Sequence, residues 1–432
     1  MSSISKRAAL AAVISLSVFT VTASAAPGDF DPSFGIDGYV VTSVQDTSGA
    51  DAVIIDAKSR TVVAGSSYNM GLGHESPTLL RYLPDGSLDM SFGDSLSGME
   101  FITPPGGLSS NADFCCVRLD SKHRIIAAGF TEFPSPAGVQ SVVTVVRLSE
   151  DGILDPSFGN HGIVANVIAD GETTSLTQSL AIDASDRILV GGATFAGTYV
   201  GTPVIVRYNT DGTLDHSFGN AGVVTIPESG FMPAPIGIAI DTAERIVSAG
   251  NYASGSYVGR YLDDGSADST FGIDGTGVVE LDGIPADAFA LDSADRPLVA
   301  SAIIDGSYMG VMRLTSDGAA DTGFGPDGDG IVSTPADELV FPHSMTIDRD
   351  GNVIVASVEE DGYGSPLGIA VLRYTGDGLP DLTFGTDGIA TPALPEFSMV
   401  SGVAAGDHAI TMAGYATDDS GAYQFTTARL QN

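Results

Sequence analysis

The sequence predicts an all-β fold: a seven-bladed β-propeller of four-stranded blades, with the ring closed by an N-terminal strand. A Phe-Gly pair recurs seven times along the 432 residues. Each repeat holds four short runs rich in Val and Ile, separated by Gly/Asp/Asn turns. The two ends of the chain contain complementary parts of one of these seven repeats. No sustained helical periodicity follows the N-terminal segment.

The Phe-Gly pair lies in a frame of the form DGxLDxSFGxxGxV, and neighbouring copies are 53 to 66 residues apart. A short apolar run follows each copy and predicts one strand per repeat. The phenylalanines of the seven copies are Phe34, Phe92, Phe158, Phe218, Phe271, Phe324 and Phe384.

Two more segments recur in step with this frame. One is an apolar run that ends in Asp and is followed by a turn and a second apolar run, as in "SLAID" (179–183) and "RILVGG" (187–192). The other ends in arginine, as at Arg207. Together with the strand after the frame, these segments give four predicted strands per repeat.

Stacked repeats also occur in linear solenoids, so closure decides between the two architectures. The final "RLQN" (429–432), continued into "PGDFDPSFG" (27–35), reproduces one uninterrupted repeat. A ring requires such complementary ends, whereas a solenoid requires polar caps. We therefore predict one propeller over residues 26–432, with its last blade shared between 34–42 and 401–430.

The Asp-terminated run is predicted to be the innermost strand, because the strand after the frame is the one that the last blade takes from the N-terminus. Its first position is always small, as seven strands crowded around one axis require. The residues there are Ala52, Cys116, Ser179, Gly237, Ala288, Ser344 and Gly402.

The frame, together with the pattern AxDxxxRIxVAG, resembles the delta-60 repeat of exported bacterial proteins, and the inner-strand pattern is similar to that of NHL-type propellers. The resemblance extends over the whole chain after the N-terminal segment. It implies a propeller and export, and it implies no catalytic residues. The segment "GVAAG" (402–406) departs from the pattern because it lacks the terminal Asp.

Residues 1–25 are predicted to be a signal peptide. Lys6 and Arg7 precede an apolar run that ends at an A-x-A cleavage site, so we expect export to the periplasm or the medium. Loss of Lys6 and Arg7 changes the formal charge from −36 to −38. Phosphate backbones and anionic lipid require a positive patch, so nucleic-acid binding and membrane insertion are not expected. We expect a monomer.

Cys115 and Cys116 are the two cysteines of the chain. Neighbouring Cα atoms lie about 3.8 Å apart, below the usual disulfide window. Neighbouring side chains of a strand also point to opposite faces. The sequence favours two packed thiols and leaves a vicinal disulfide as the alternative.

Most arginines have a predicted structural role. Six of the seven third-strand arginines precede an Asp of the frame by eight residues, as in Arg81 and Asp89, and Arg429 would reach Asp31 only across the ring closure; a bidentate pair is expected. Five further arginines follow an inner-strand Asp by four residues. Arg118 matches neither pattern, because it occupies an inner-strand position that otherwise holds apolar or small residues and Thr.

The residues before the small position are predicted to ring the mouth of the central channel. The candidate ligand-binding residues there are Asp51, Gln178, Asp287 and His343, together with Arg118 on the inner strand. Longer loops above this mouth carry the candidate interaction residues Tyr68, Tyr199, Tyr252, Tyr363 and Tyr415.

We expect an exported, non-enzymatic binding propeller whose loop face takes a protein, a glycan or a small ligand, with no cofactor. One alternative is a hydrolase or lyase with a divalent cation at the channel mouth, held by Asp51, Asp287 and His343 with the help of Arg118. A second alternative is a structural module of the cell envelope or surface.

Overall fold

A computed structural model describes residues 25–103, 111–135, 138–168, 174–195, 200–226, 230–231, 235–252, 255–303, 308–335, 339–360, 366–394, 398–418 and 420–432. Of the predicted signal peptide, residues 1–24 lie outside the described residues. None of the described residues lies in a helix long and apolar enough to span a membrane.

Seven antiparallel sheets of four main strands are arranged in a ring, which confirms the seven-bladed propeller. From the axis outwards, blade 1 consists of Thr47–Ile55, Thr61–Asn69, His74–Tyr82 and Met99–Phe101. Blade 2 consists of Ala112–Leu119, Ile125–Ser135, Gly138–Leu148 and Ile163–Asn166. Blade 3 consists of Thr174–Ile182, Ile188–Phe195, Val200–Tyr208 and Val223–Thr225. Blade 4 consists of Pro235–Ile240, Ile246–Tyr252, Gly255–Tyr261 and Val278–Asp282.

Blade 5 consists of Ala288–Leu291, Pro297–Ile303, Tyr308–Arg313 and Ile331–Pro335. Blade 6 consists of Leu339–Ile347, Val353–Glu360, Pro366–Tyr374 and Ile389–Ala390. Blade 7 consists of Met399–Ala405, Ala409–Thr417, Tyr423–Gln431 and the N-terminal strand Tyr39–Thr42. Blade 3 has one unpredicted addition, the short strand Gly230–Phe231, which pairs with its third strand.

The ring closes as the complementary ends predict. Tyr39–Thr42 pairs antiparallel with Tyr423–Gln431, in the register Tyr39 to Ala428. Backbone hydrogen bonds continue the pairing, from Gly28 N to the Gln431 carbonyl at 2.9 Å and from Gln431 N to the Asp29 carbonyl at 2.9 Å. The outer strand of blade 7 therefore comes from the opposite end of the chain.

The hydrophobic core lies between neighbouring blades. One cluster joins blades 6 and 7 and includes Ile354, Val371, Phe384, Val403 and Leu430, all buried. Because both faces of each sheet are covered, the strands are apolar on both sides and alternate little.

The arginine of each third strand, which we call the frame arginine because it pairs with the Asp of the frame, makes contacts within its own blade and with the next blade. Arg207 Nε donates to Asp215 Oδ2 at 2.8 Å, and its guanidinium lies 4.4 Å from the centre of the Phe218 ring. Its Nη1 donates to the backbone carbonyl of Asp263 in blade 4 at 2.5 Å. The same Arg–Asp pair and ring contact occur in all seven blades.

The predicted bidentate geometry of these pairs is wrong in detail. The arginine Nε donates to Oδ2 of the frame Asp, and in the Arg147 pair Oδ1 of Asp155 instead accepts from the backbone N–H of Ser157 at 2.9 Å and from its hydroxyl at 2.7 Å. The frame Asp is thus held from two sides, which fixes the turn as well as the strand.

The last frame pair also crosses the ring closure. Arg429 Nε donates to Asp31 Oδ2 at 2.7 Å, and the guanidinium lies 4.6 Å from the centre of the buried Phe34 ring. Arg373 of blade 6 donates to the Asn432 side chain at 2.8 Å, where the earlier frame arginines of blades 1 to 5 donate to a turn carbonyl of the next blade.

Candidate functional site

The inner strands of the seven blades enclose an axial cavity of about 490 Å³. All seven small residues predicted for the first inner position line it. At Gly237, an added Cβ would lie 2.4 Å from the Phe289 side chain of the neighbouring blade, and at Gly402 it would lie 3.2 Å from the Ala52 Cα. Neighbouring inner strands are therefore too close for larger side chains at this level.

The residues before the small position lie at irregularities of the inner strands. In five blades the register with the second strand shifts at this residue, as between Ala50 and Ala52 or between Pro342 and Ser344. In blade 2 the shift takes in both Phe114 and Cys115. Such bulges redirect a side chain that would otherwise continue the alternation of the strand. The bulges explain how a ring of polar side chains reaches the cavity.

The structure brings the five candidate ligand-binding residues together around this one cavity. Asp51, Arg118, Gln178, Asp287 and His343 all line it. Gln178, His343 and Arg118 have exposed side chains, while Asp51 and Asp287 are half-buried. In blades 1, 2, 3 and 6 the inner strand begins about three or four residues before this ring, which therefore lies inside the channel.

Arg118 marks the level where the cavity continues into the second half of the channel, a space of about 420 Å³. Leu180, Ile238 and Met345 also border both halves, but their side chains are buried in the core between blades.

Arg118 is exposed to the lumen but surrounded by the protein on all sides, and this desolvation lowers the pKa of its guanidinium. Its Nη1 donates to the neighbouring Val117 carbonyl at 2.8 Å. No carboxylate among the described residues lies within ion-pair distance of it. Arginine remains protonated in proteins, so the channel contains a fixed cation that no described carboxylate contacts.

Asp287 carries the opposite charge across the lumen. Its Oδ2 accepts a hydrogen bond from the Ala302 N–H at 2.8 Å. Burial raises the pKa of Asp287, whereas that hydrogen bond and the charge interaction with His343 lower it. In a ring of seven blades, Asp287 of blade 5 and His343 of blade 6 face blade 2, which carries Arg118.

A carboxyl pair between blades 1 and 2 was not predicted. Asp51 and Asp113 are hydrogen-bonded to each other, with Glu75 nearby. Burial raises the pKa of Asp51 to about 6, and burial together with the charge of Asp51 raises the pKa of Asp113 well above its usual range. The directions fit a protonated Asp113 that donates to the Asp51 carboxylate.

Alignment of the repeats did not reveal this pair. Asp113 lies two residues before Cys115, which is the residue that aligns with Asp51, and the inner strands of blades 1 and 2 each contain one extra residue at this point. The pair therefore joins two different positions of the repeat.

The expectation of two packed thiols is wrong, because Cys115 and Cys116 form a vicinal disulfide. Both residues line the axial cavity. The alternation argument fails because the bulge between Asp113 and Cys116 removes the regular strand geometry at this point.

The candidate interaction tyrosines fall into two groups. Tyr199 and Tyr363 lie outside the residues whose side chains the structure describes. Tyr68, Tyr252 and Tyr415 belong to the second strands of their blades and not to loops, because those strands extend further than predicted. The Tyr415 ring makes an edge-to-face contact with Tyr423 at 4.8 Å.

The described residues contain no group of three or more His, Cys, Asp or Glu side chains that could hold a metal ion. Asp51, Asp287 and His343, which the metal-dependent alternative requires, are placed around the cavity without forming such a group.

Comparison with known proteins yields one family model. The "Domain of unknown function (DUF5122) beta-propeller" model matches residues 60–92 and 184–218, and each match ends at a frame phenylalanine, Phe92 or Phe218. No curated protein matches the chain.

Among solved structures, the chain is similar to a protein of unknown function from Dyadobacter fermentans, with 10% identity, a TM-score of 0.46, and 93% of this chain and 100% of the other covered. It is also similar to the β-propeller domain of the trilobed protease from Pyrococcus furiosus, with 10% identity, a TM-score of 0.47, and 90% and 96% covered.

A third similar structure is the PQQ-bound aldose sugar dehydrogenase from Streptomyces coelicolor, with 13% identity, a TM-score of 0.43, and 70% and 94% covered. At these identities and scores the structures identify no activity. The chain is a seven-bladed β-propeller with sequence similarity, in two of its repeats, to the DUF5122 β-propeller family.

Proposed function

We propose that this protein is a non-enzymatic binding propeller that takes a small polar ligand into its axial cavity. One observation carries the proposal. Arg118 is an arginine enclosed in the channel, and no described carboxylate pairs with it. An enclosed charge without a partner is costly to the folded protein, so a ligand that supplies the counter-charge would bind there favourably.

The repeated arginines support this interpretation by contrast. Arg207 is buried with Asp215, and Arg245 of the inner hairpin pairs with Asp241 at 2.5 Å. Repetition in register with an Asp explains these residues as parts of the scaffold. Arg118 has no equivalent in the other blades, and side chains that occur once on a rigid scaffold are candidates for binding.

The polar ring supports a small ligand in particular. Gln178 and His343 expose polar side chains to the cavity, and Ser401 lines it at the same level. A volume of about 490 Å³ lies within the range of small-molecule sites. The delta-60 assignment and export through the signal peptide belong to the same proposal, and both rest on the sequence.

A thermal-shift screen tests the proposal. Purified protein would be mixed with small carboxylic acids, amines and neutral sugars, and its melting temperature compared with that of the Ser401→Phe variant, which places an aromatic ring at the wall of the cavity and reduces its volume. We expect at least one class to raise the wild-type melting temperature and to lose this effect in S401F.

Ser185→Phe, in an exposed turn, is the matched control and should respond like the wild type. If no class shifts the wild-type melting temperature, or if S401F responds fully, the axial cavity is not the binding site.

A second candidate function is partner binding at the face where the second strands end. Tyr423 is 48% exposed and packs against Tyr415, which forms an aromatic contact surface there. Replacement of Tyr423 by Ser should abolish the capture of a protein or glycan partner by this face. Unchanged capture by that variant would exclude this surface.

A further inference from the structure

The vicinal disulfide of blade 2 contributes little to the stability of the propeller. Cys115 and Cys116 are neighbours in the sequence, so their bond closes the shortest loop that a disulfide can close. The stabilisation that a disulfide gives by restricting the unfolded chain grows with the length of that loop. The two cysteines therefore require an explanation other than stability.

The disulfide borders the axial cavity and is open to it from one side. Both cysteines line the cavity, and Cys115 is half-buried whereas Cys116 is only 5% exposed. Thiol–disulfide exchange requires a thiolate to reach one of the two sulfur atoms. A thiol in the cavity would therefore attack Cys115 Sγ, and Cys116 Sγ would be the leaving group.

Arg118 lies on the same face of the inner strand as this leaving group. The pairing with the second strand is regular from Cys116, opposite Ala128, to Arg118, opposite Ile126. Residues two apart on a strand point to the same side and lie about 7 Å apart along it. A guanidinium near a cysteine sulfur favours its thiolate form, and a sulfur that is more stable as a thiolate leaves faster.

The acidic groups of the polar ring already have partners. Asp51 is hydrogen-bonded to Asp113, and Asp287 has a charge interaction with His343. Arg118, in contrast, has no described carboxylate within ion-pair distance. A thiol that also carries a carboxylate can pair this group with the guanidinium while its sulfur atom approaches the disulfide, whereas a cationic thiol is repelled.

We propose that the Cys115–Cys116 disulfide is a reactive site for small thiol carboxylates. This inference rests on the proposed function and deepens it, because Arg118 binds the ligand in both.

The reaction is a two-step exchange. The thiolate attacks Cys115 Sγ, the S–S bond breaks, and Cys116 Sγ leaves with the electron pair as a thiolate. A second thiol molecule then attacks the ligand sulfur of the mixed disulfide and releases Cys115. Two thiols are oxidised to one small disulfide, and the cysteine pair gains two electrons and two protons.

Rates of reduction by two thiols of similar size and opposite charge test the site. The probes are 3-mercaptopropionate and cysteamine, applied to the full-length folded protein at pH 7.5 and low ionic strength. Each rate is divided by the rate at which the same thiol reduces bis(2-hydroxyethyl) disulfide, which cancels the difference in intrinsic nucleophilicity. Because the chain contains two cysteines, a mass gain of two N-ethylmaleimide groups after quenching reports reduction.

We expect the normalised rate of 3-mercaptopropionate to exceed that of cysteamine at least tenfold. Arg118→Gln should abolish this preference, and Arg118→Lys should retain most of it because lysine keeps the positive charge. Arg349→Gln is the matched control, since it makes the same change at an arginine whose side chain is 55% exposed and which does not line the cavity, and it should retain the full preference.

An equal or reversed preference in the wild type, or a preference that survives in R118Q, would overturn the ligand class. Resistance of the folded protein to both thiols, with reduction restored in denaturant, would overturn the reactive site itself. The thermal-shift screen with S401F judges the proposed function separately, because binding in the cavity does not depend on exchange at the disulfide.

Discussion

The outer frame and the axial cavity of this propeller differ in whether their charged side chains are paired with an opposite charge. In the frame, Arg207 and Asp215 are both buried, and each is the other's partner. In the cavity, Arg118 has no carboxylate partner among the described residues, and Asp51 and Asp113 place two acids side by side. The frame repeats its arrangement in seven blades, whereas the cavity arrangement occurs once.

The pKa directions of the carboxyl groups show the same difference. At Asp155 of the frame, burial opposes ionisation, but the hydrogen bonds from Ser157 and the charge of Arg147 outweigh it and lower the pKa to about 2. At Asp51 of the cavity, burial raises the pKa to about 6. Charge stabilises the fold in the frame and destabilises it in the cavity, so the cavity charges require an explanation other than stability.

The largest expected effect concerns the closure of the ring. Deletion of residues 28–42 removes the outer strand of blade 7 and the partners of Arg429 and Leu430, so cooperative folding should be lost. Circular dichroism and a thermal melt would measure it.

A circular permutant is the matched control. It would begin at Ser43 and place residues 26–42 after Asn432 through a short Gly-Ser linker. Gly28 N already lies 2.9 Å from the Gln431 carbonyl, so the permutant should melt like the wild type. An intact fold in the deletion variant, or an unfolded permutant, would contradict the closure.

The next effect tests the frame. Arg207→Gln leaves Asp215 buried without its main partner and removes the contact to blade 4, so the free energy of unfolding should fall by about 3–5 kcal/mol. Denaturant unfolding would measure it. Arg349→Gln, which removes a pair between exposed side chains, should cost less than about 1 kcal/mol. Equal losses in the two variants would contradict a structural role of the frame pairs.

At the Asp51–Asp113 carboxyl pair, removal of a charge is expected to raise the free energy of unfolding and not to lower it. The unfolded state releases the Asp51 proton near pH 3.8 and the folded state near pH 6, so stability is lost as the pH rises through this window. Asp51→Asn should therefore stabilise the protein above pH 6, by up to about 3 kcal/mol, and change little near pH 3.5.

Asp155→Asn is the frame counterpart of that variant. The lowered pKa of Asp155 contributes stability above about pH 3.8 that is lost as the pH falls towards 2, so D155N should destabilise the protein at neutral pH. Unfolding free energies of both variants at pH 3.5 and 7.5 would show the two signs. Destabilisation of D51N at pH 7.5 would remove the proposed cost of the carboxyl pair.

The difference between the two regions also explains what the sequence could predict. The frame repeats, so Arg81 and Asp89 could be paired by spacing alone, and the broken repeat at 429–432 revealed the closure. The disulfide and the Asp51–Asp113 pair depend on bulges, which shift the register between strands and leave no regular spacing in the sequence. Asp51 and Asp113 also come from neighbouring blades, about 60 residues apart in the sequence.

The candidate ligand-binding residues of the polar ring could be predicted because, like the frame, they occupy a position that repeats in every blade. Gln178 and His343 precede a small residue at a repeated position, so alignment of the repeats placed them around the axis. Arg118 was found because its position in the aligned repeats otherwise holds apolar or small residues and Thr. The strand positions of Tyr68 and Tyr415 were missed because strand ends depend on pairing with neighbours and not on local composition.

The smallest expected effect is also the most direct test. Arg118→Gln and Arg207→Gln would be unfolded side by side in denaturant, and their free energies of unfolding compared with that of the wild type. The R118Q variant should stay within about 0.5 kcal/mol of the wild type or exceed it, because the enclosed guanidinium has no described carboxylate partner to lose and the Gln side-chain amide can still donate a hydrogen bond. A loss in R118Q as large as that in R207Q would show that Arg118 holds the fold and is not left for a ligand.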